Sequence, residues 1–190
     1  MRPLIVSCNV TVDGFMAGPA GDLASLDFIV PDQVQEDDLA ARFRASADAI
    51  VLGRQTFLDM EAYWSKISSP MADWLNATPK IALSTDRGFD VSGWHNSSLA
   101  AGDAVDQVRR IKDSTGRGLV MFGGVRTIRS MVAADLVDEY WLKISPVAVG
   151  QGSSLFAELT GKRPLTLLSA KAFPSGMIDA AYSTQAANPN

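Results

Sequence analysis

The sequence predicts an α/β fold: a mixed, mainly parallel sheet with helices on both faces and antiparallel strands at the C-terminal end. Two observations predict it. Short apolar runs at residues 4–10, 49–52, 80–84 and 119–122 alternate with stretches of helical spacing, the pattern of βαβ units. The last third instead carries strand-like runs at 140–144, 165–171 and 177–182 with no helix between them, which pair antiparallel and extend a sheet.

Each element has a local cause. Leu4 to Val10 reads as a buried strand broken by Asp13-Gly14, and a glycine- and proline-bearing loop from Ala17 to Asp22 follows. Gln33 to Ser46 reads as a helix, with Val34, Leu39 and Phe43 near helical spacing. Ala49-Ile50-Val51-Leu52 is wholly apolar, as a strand covered on both faces must be. Gly53 ends it, and a helix starts at Arg54 or Gln55. Lys80 to Ser84 is a strand opened by Pro79 and closed by Thr85-Asp86. Val105, Val108 and Ile111 mark one face of a helix, and Leu119 to Phe122 is a further apolar strand. Gly123-Gly124 then leads into a helix through Ile128 and Met131. No linker or internal repeat divides the chain, so residues 1–184 form one domain and 185–190 a polar, frayed tail.

Composition narrows the function classes. The chain has 190 residues, 47% of them hydrophobic, and a net charge of -4, which argues against nucleic acid as a partner. No stretch approaches the apolar length that crosses a bilayer, and the N-terminus lacks the pattern of a secretory leader. The one cysteine, Cys8, can form no intrachain disulfide and no zinc cluster; it reads as a small buried hydrophobe, in a reducing cytoplasm. His95 stands apart from any serine or carboxylate motif and reads as a surface or strand-edge residue. Gly150-Gln151-Gly152 imitates a dinucleotide fingerprint but lacks its third glycine. Asn96-Ser97-Ser98 fits a glycosylation acceptor only formally. Glu36-Asp37-Asp38 reads as the solvated first turn of a helix.

Two strand ends carry the chemistry. In open α/β sheets, ligands bind beyond the carboxyl ends of the strands. At Gly53-Arg54-Gln55-Thr56, a glycine allows close backbone approach, a guanidinium suits phosphate and a hydroxyl stands at a helix start. At Gly123-Gly124-Val125-Arg126-Thr127 a glycine pair removes two Cβ atoms where a pyrophosphate would touch the main chain. Ser84, at the end of its strand between them, could reach the same ligand. The repetition of glycine, arginine and threonine at two strand ends points to a nucleotide or phosphate.

The chain resembles the dihydrofolate-reductase-like family that includes the reductase domain of the bifunctional riboflavin-pathway deaminase–reductase and its stand-alone bacterial relatives. The resemblance rests on 11–18 (TVDGFMAG), 52–57 (LGRQTF), Tyr63-Trp64, 76–84 (NATPKIALS), 122–124 (FGG), 136–147 (LVDEYWLKISPV) and 150–156 (GQGSSLF), in this order. It implies a three-layer fold, NADPH as hydride donor, a pterin- or aminopyrimidine-like substrate and often a homodimer, for which Tyr140 and Trp141 could supply an apolar interface. By position it places Gly53, Arg54 and Thr56, with Ser84 nearby, at the adenosine-side phosphates. Gly123, Gly124, Val125, Arg126 and Thr127 wrap the pyrophosphate, and Ala17 and Gly18 flank the nicotinamide. Arg54 fits a 2′-phosphate. Asp13 and Asp27 are the candidate catalytic acids, with Asp13 equally readable as the turn residue of an Asp-Gly pair. The zinc deaminase half is excluded by the lack of ligands. The alternative is a non-catalytic NADPH-binding or sensor domain on the same scaffold.

Overall fold

The computed structural model describes residues 1–18 and 26–185; 19–22 of the expected glycine-bearing loop and 186–190 of the expected tail lie outside the described residues. The chain runs β1 (Leu4–Thr11), β2 (Phe15–Ala17), α1 (Gln33–Ser46), β3 (Ala47–Gly53), α2 (Arg54–Trp64), α3 (Pro70–Ala77), β4 (Lys80–Ser84) and β5 (Ser97–Ala101). It continues through α4 (Ala104–Lys112), β6 (Gly118–Phe122), α5 (Val125–Ala133), β7 (Glu139–Ser145), β8 (Ser153–Ser154), β9 (Thr166–Ala172) and β10 (Ile178–Ser183).

Eight strands form one sheet in the order β5-β4-β3-β6-β1-β7-β10-β9, while β2 and β8 pair separately. The first six are parallel; β10 runs antiparallel to β7, and β9 to β10. Each central strand feeds two cores, because successive side chains point to opposite faces. Leu4, Val6, Val51, Leu119 and Met121 pack with Val108 of α4 and with Ile128, Met131 and Val132 of α5. Ile5, Ile50, Leu52 and Val120 pack with Leu39 and Phe43 of α1, Phe57 of α2, and Met71 and Trp74 of α3. The continuous apolar runs in the sequence are the result.

Phe43 organises the second core. Its ring stacks on Trp74 at 4.9 Å and on Trp141 at 5.4 Å. Trp141 is therefore a core residue, 7% exposed, and Tyr140 is fully buried against the other layer, where it meets Phe156. Neither can form the intersubunit surface expected for them.

Sequence reading missed α3, β5 and the short β2–β8 pair. Ser69 caps α3 by accepting from Ala72 N, with Pro70 in the first turn, a start signal of the usual kind. The helix is closed from below by Lys80. This fully buried side chain donates to the carbonyls of Leu75 (2.8 Å), Asn76 (3.2 Å) and Thr78 (2.9 Å), the orphan acceptors of a helix end.

Candidate active site

A cleft of about 1320 Å³ opens at the carboxyl ends of β1, β3, β4 and β6. One end of it is made by the two glycine turns, which interlock. A Cβ on Gly53 would stand 2.5 Å from Thr127 Oγ1, and one on Gly123 2.6 Å from Thr56 Cγ2. Gly123 and Gly124 have φ of +57° and +56°, a region that side-chain-bearing residues avoid. Thus the threonine of each turn packs against the glycine of the other, and both backbones come to one place.

The helix starts there are open. Asp32, Ser69 and Asp103 cap α1, α3 and α4 with side-chain acceptors, whereas α2 and α5 begin at Gly53 and Gly124 with no side-chain cap among the described residues. Both turns line the cleft, so two sets of unsatisfied N–H groups converge where an anion would satisfy them. Arg126 lies in the first turn of α5 and lines the cleft. Among the described residues it has no carboxylate within ion-pair distance. A cation at a helix N-terminus is unfavourable on its own, and a bound anion would reverse that. Arg54 is held at the cleft wall by Asp86 (3.2 Å) and lies 4.9 Å above the Phe89 ring. Ser84 accepts from Asp86 N at 3.1 Å through its hydroxyl.

The structure brings Ala17, Gly53, Arg54, Thr56, Ser84 and the 123–127 turn to one wall, while Gly18 is buried but does not line the cleft. The two candidate acids are not there. Asp13 fastens the β1–β2 turn to the loop after β7: its carboxylate accepts from Val149 N (3.1 Å), Gly150 N (2.8 Å) and Thr11 Oγ1 (2.5 Å). The Thr11 hydroxyl and the Gly150 amide hold it below the usual carboxylate range, so it stays ionised and occupied. Asp27 is exposed and does not line the cleft, although Leu26 and Ile29 beside it do. Both acids are therefore corrected to positions outside the cleft.

The wide end of the cleft holds polar groups the sequence did not reveal. One wall is a single face of β1 and β7, carrying Ser7, Asn9 and Lys143; α1 faces it with Gln35, Glu36 and Leu39. Met60, Trp64, Met71 and Leu75 add an apolar side. Glu36 stands in the first turn of α1 as expected, but it is half-buried and accepts from Ser69 Oγ at 3.1 Å instead of being solvated. Burial lowers the Lys143 ammonium, with the carboxylates of Asp179 and Glu36 pulling it back up. Cys8 lines the same cleft, but burial pushes its thiol up to about 12, so it is no nucleophile. His95 is exposed. No group of three metal-ligating side chains occurs among the described residues, and no helix among them is long and apolar enough to cross a membrane.

The family described as the RibD C-terminal domain matches residues 2–178. The uncharacterized protein YyaP of Bacillus subtilis is 27% identical over 188 residues, spanning 95% of this chain and 94% of its own. A protein of Shewanella sp. PV-4, assigned provisionally to riboflavin biosynthesis, superposes with a TM-score of 0.70 at 23% identity, covering 96% and 98% of the two chains. Dihydrofolate reductase from Enterococcus faecalis, complexed with NADP(H), superposes with a TM-score of 0.61 at 16% identity over 95% of each chain. These structures share the fold.

Proposed function

The chain belongs to the RibD C-terminal domain family, and from that premise we propose an NADPH-dependent reductase acting on a pterin- or aminopyrimidine-like ring. The observation that carries this reading is the convergence of two helix starts without side-chain caps, with an Arg126 that has no ion-pair partner among the described residues, on one interlocked pair of glycine turns. When bound, NADPH supplies the hydride. The chain's own residues supply the rest. The amides after Gly53 and Gly124 would take phosphate oxygens, and Arg54 would exchange Asp86 for the 2′-phosphate. Ala17 would border the nicotinamide. The apolar wall of Met60, Trp64, Met71 and Leu75 excludes water and stacks a planar ring.

Trp64 in the cleft wall gives a direct readout. NADPH should quench tryptophan fluorescence at far lower concentration than NADH. Arg54→Ala should weaken NADPH about 10- to 100-fold, the worth of a hydrogen bond to a charged group, and leave NADH nearly unchanged. Equal affinities in the wild type would refute the 2′-phosphate assignment. Absence of both candidate acids from the cleft favours one alternative, a non-catalytic NADPH sensor. NADPH oxidation stimulated by a panel of pterins and aminopyrimidines separates the two. A reducing cytoplasm suits the buried Cys8 thiol.

The partner we propose is a second copy of the chain. Its place is the edge strand β9, where Leu167 and Leu168 are 55% and 51% exposed. A monomeric mass in light scattering at micromolar concentration would remove this assembly.

A further inference from the structure

A lysine amine placed in a half-buried cleft wall ordinarily finds a carboxylate or several carbonyls. Lys143 finds neither. Among the described residues its ammonium donates no hydrogen bond and has no carboxylate within 4.0 Å. The other buried lysines are saturated: Lys80 by three carbonyls, Lys112 by Asp138 and the Leu136 carbonyl.

No carboxylate around Lys143 comes within 4.0 Å of its ammonium among the described residues. Asp179, its cross-strand partner on β10, accepts from Gln35 Nε2 at 2.7 Å through Oδ1, while its Oδ2 stands 3.7 Å from Arg42 with no hydrogen-bond partner among the described residues. Burial raises the Asp179 carboxyl, which weakens it as a counter-ion. Glu36 on α1 takes the Ser69 hydroxyl, and Cys8 on β1 is a neutral thiol. A second polar group on the same wall is also unsatisfied among the described residues: Ser7, two positions before the Lys143-paired Asn9, is 1% exposed and its hydroxyl has no partner among them. A buried hydroxyl without a partner needs a reason.

We propose that Lys143, helped by Ser7, anchors the substrate through an oxo oxygen on its ring. This rests on the reductase reading and deepens it by naming a specificity-determining residue: Lys143 on β7 selects a ring that turns an exocyclic oxo oxygen toward it over the same ring carrying an amino group there. A cation at that oxygen also favours the negative charge that an arriving hydride puts on a conjugated ring. Lys143 thus takes up the substrate contact that neither Asp13 nor Asp27 is placed to make.

The test is equilibrium binding of two non-cofactor probes followed by tryptophan fluorescence without NADPH: lumazine, a dioxopteridine, and 2,4-diaminopteridine. The wild type should prefer lumazine. Lys143→Met should lose about 10- to 100-fold in lumazine affinity and nothing for the diamino ring. Lys143→Arg should stay within a few-fold of wild type, and Ser7→Ala should lose a few-fold. Thermal melting checks folding, and Lys143→Gln replaces the Met variant if that one does not fold. The proposal is overturned if the wild type binds neither probe or shows no oxo preference. It is equally overturned if Lys143→Met weakens both probes alike or lowers only the melting temperature. NADPH titration of the same proteins separates the two readings. Lost cofactor binding with a retained lumazine preference would refute the reductase and leave the anchor standing.

Discussion

Replacing Gly123 by Ala probes the interlock of the two turns. The new Cβ would meet Thr56 Cγ2 at 2.6 Å and Oγ1 at 3.1 Å, at a backbone φ of +57°. Two costs arise. Holding an alanine in the left-handed region costs about 1–2 kcal/mol, and forcing the contact costs about 1–3 kcal/mol as overpacking. Together Gly123→Ala should destabilise by about 2–5 kcal/mol, read as a shift in urea midpoint at constant slope. Thr56→Ser removes the clashing methyl. In that background Gly123→Ala should shed most of the packing share while the contact with Oγ1 at 3.1 Å stays, which gives a coupling of about 1–2 kcal/mol between the sites. Gly53→Ala is the mirror case, because φ there is -68° and only the contact with Thr127 Oγ1 at 2.5 Å remains. Its cost should vanish almost wholly in a Thr127→Ala background. Strictly additive costs in both double-mutant cycles, or a neutral Gly123→Ala, would refute the interlock.

Lys80→Met should cost about 1–3 kcal/mol by leaving the α3 end carbonyls without a donor. Burial lowers the Lys80 amine to about 8, below its unfolded value near 10.4. Between those values the unfolded chain binds the extra proton, so wild-type stability should gain on Lys80→Met as pH rises from 8 to 10; denaturant melts at three pH values check the sign. Asp13→Asn should leave NADPH affinity and any turnover intact, since Asp13 acts as a turn staple. Because its pKa is lowered on folding, its stabilisation is present above the unfolded value and lost as pH falls, so the variant should show a flatter acid limb in thermal melts.

The sequence was most legible where one property decides the structure. Val51 and Leu52, like Val120 and Met121, are fully buried and sit in uninterrupted apolar runs, which a strand covered on both faces requires. The glycine turns were legible because left-handed backbone and close approach leave few alternatives. Lys143 was not. Whether a strand residue faces a core, solvent or a cleft depends on register with strands far away in sequence, and β7 is read only against β1 and β10. Trp141 misled for the same reason: its partner Phe43 is nearly a hundred positions upstream. Strand β5, with the half-polar sequence SSLAA, lacks the apolar run of a central strand because it is an edge. α3 had a readable start in Ser69-Pro70, but its eight residues are too few for periodicity to stand out.

Backbone amide NMR during an NADPH titration measures the shared anion site itself. The amides of 54–56 and 125–127 should shift together, with one saturation curve, because both open helix starts grip one coenzyme. Shifts confined to one turn, or elsewhere in the molecule with both turns silent, would contradict it.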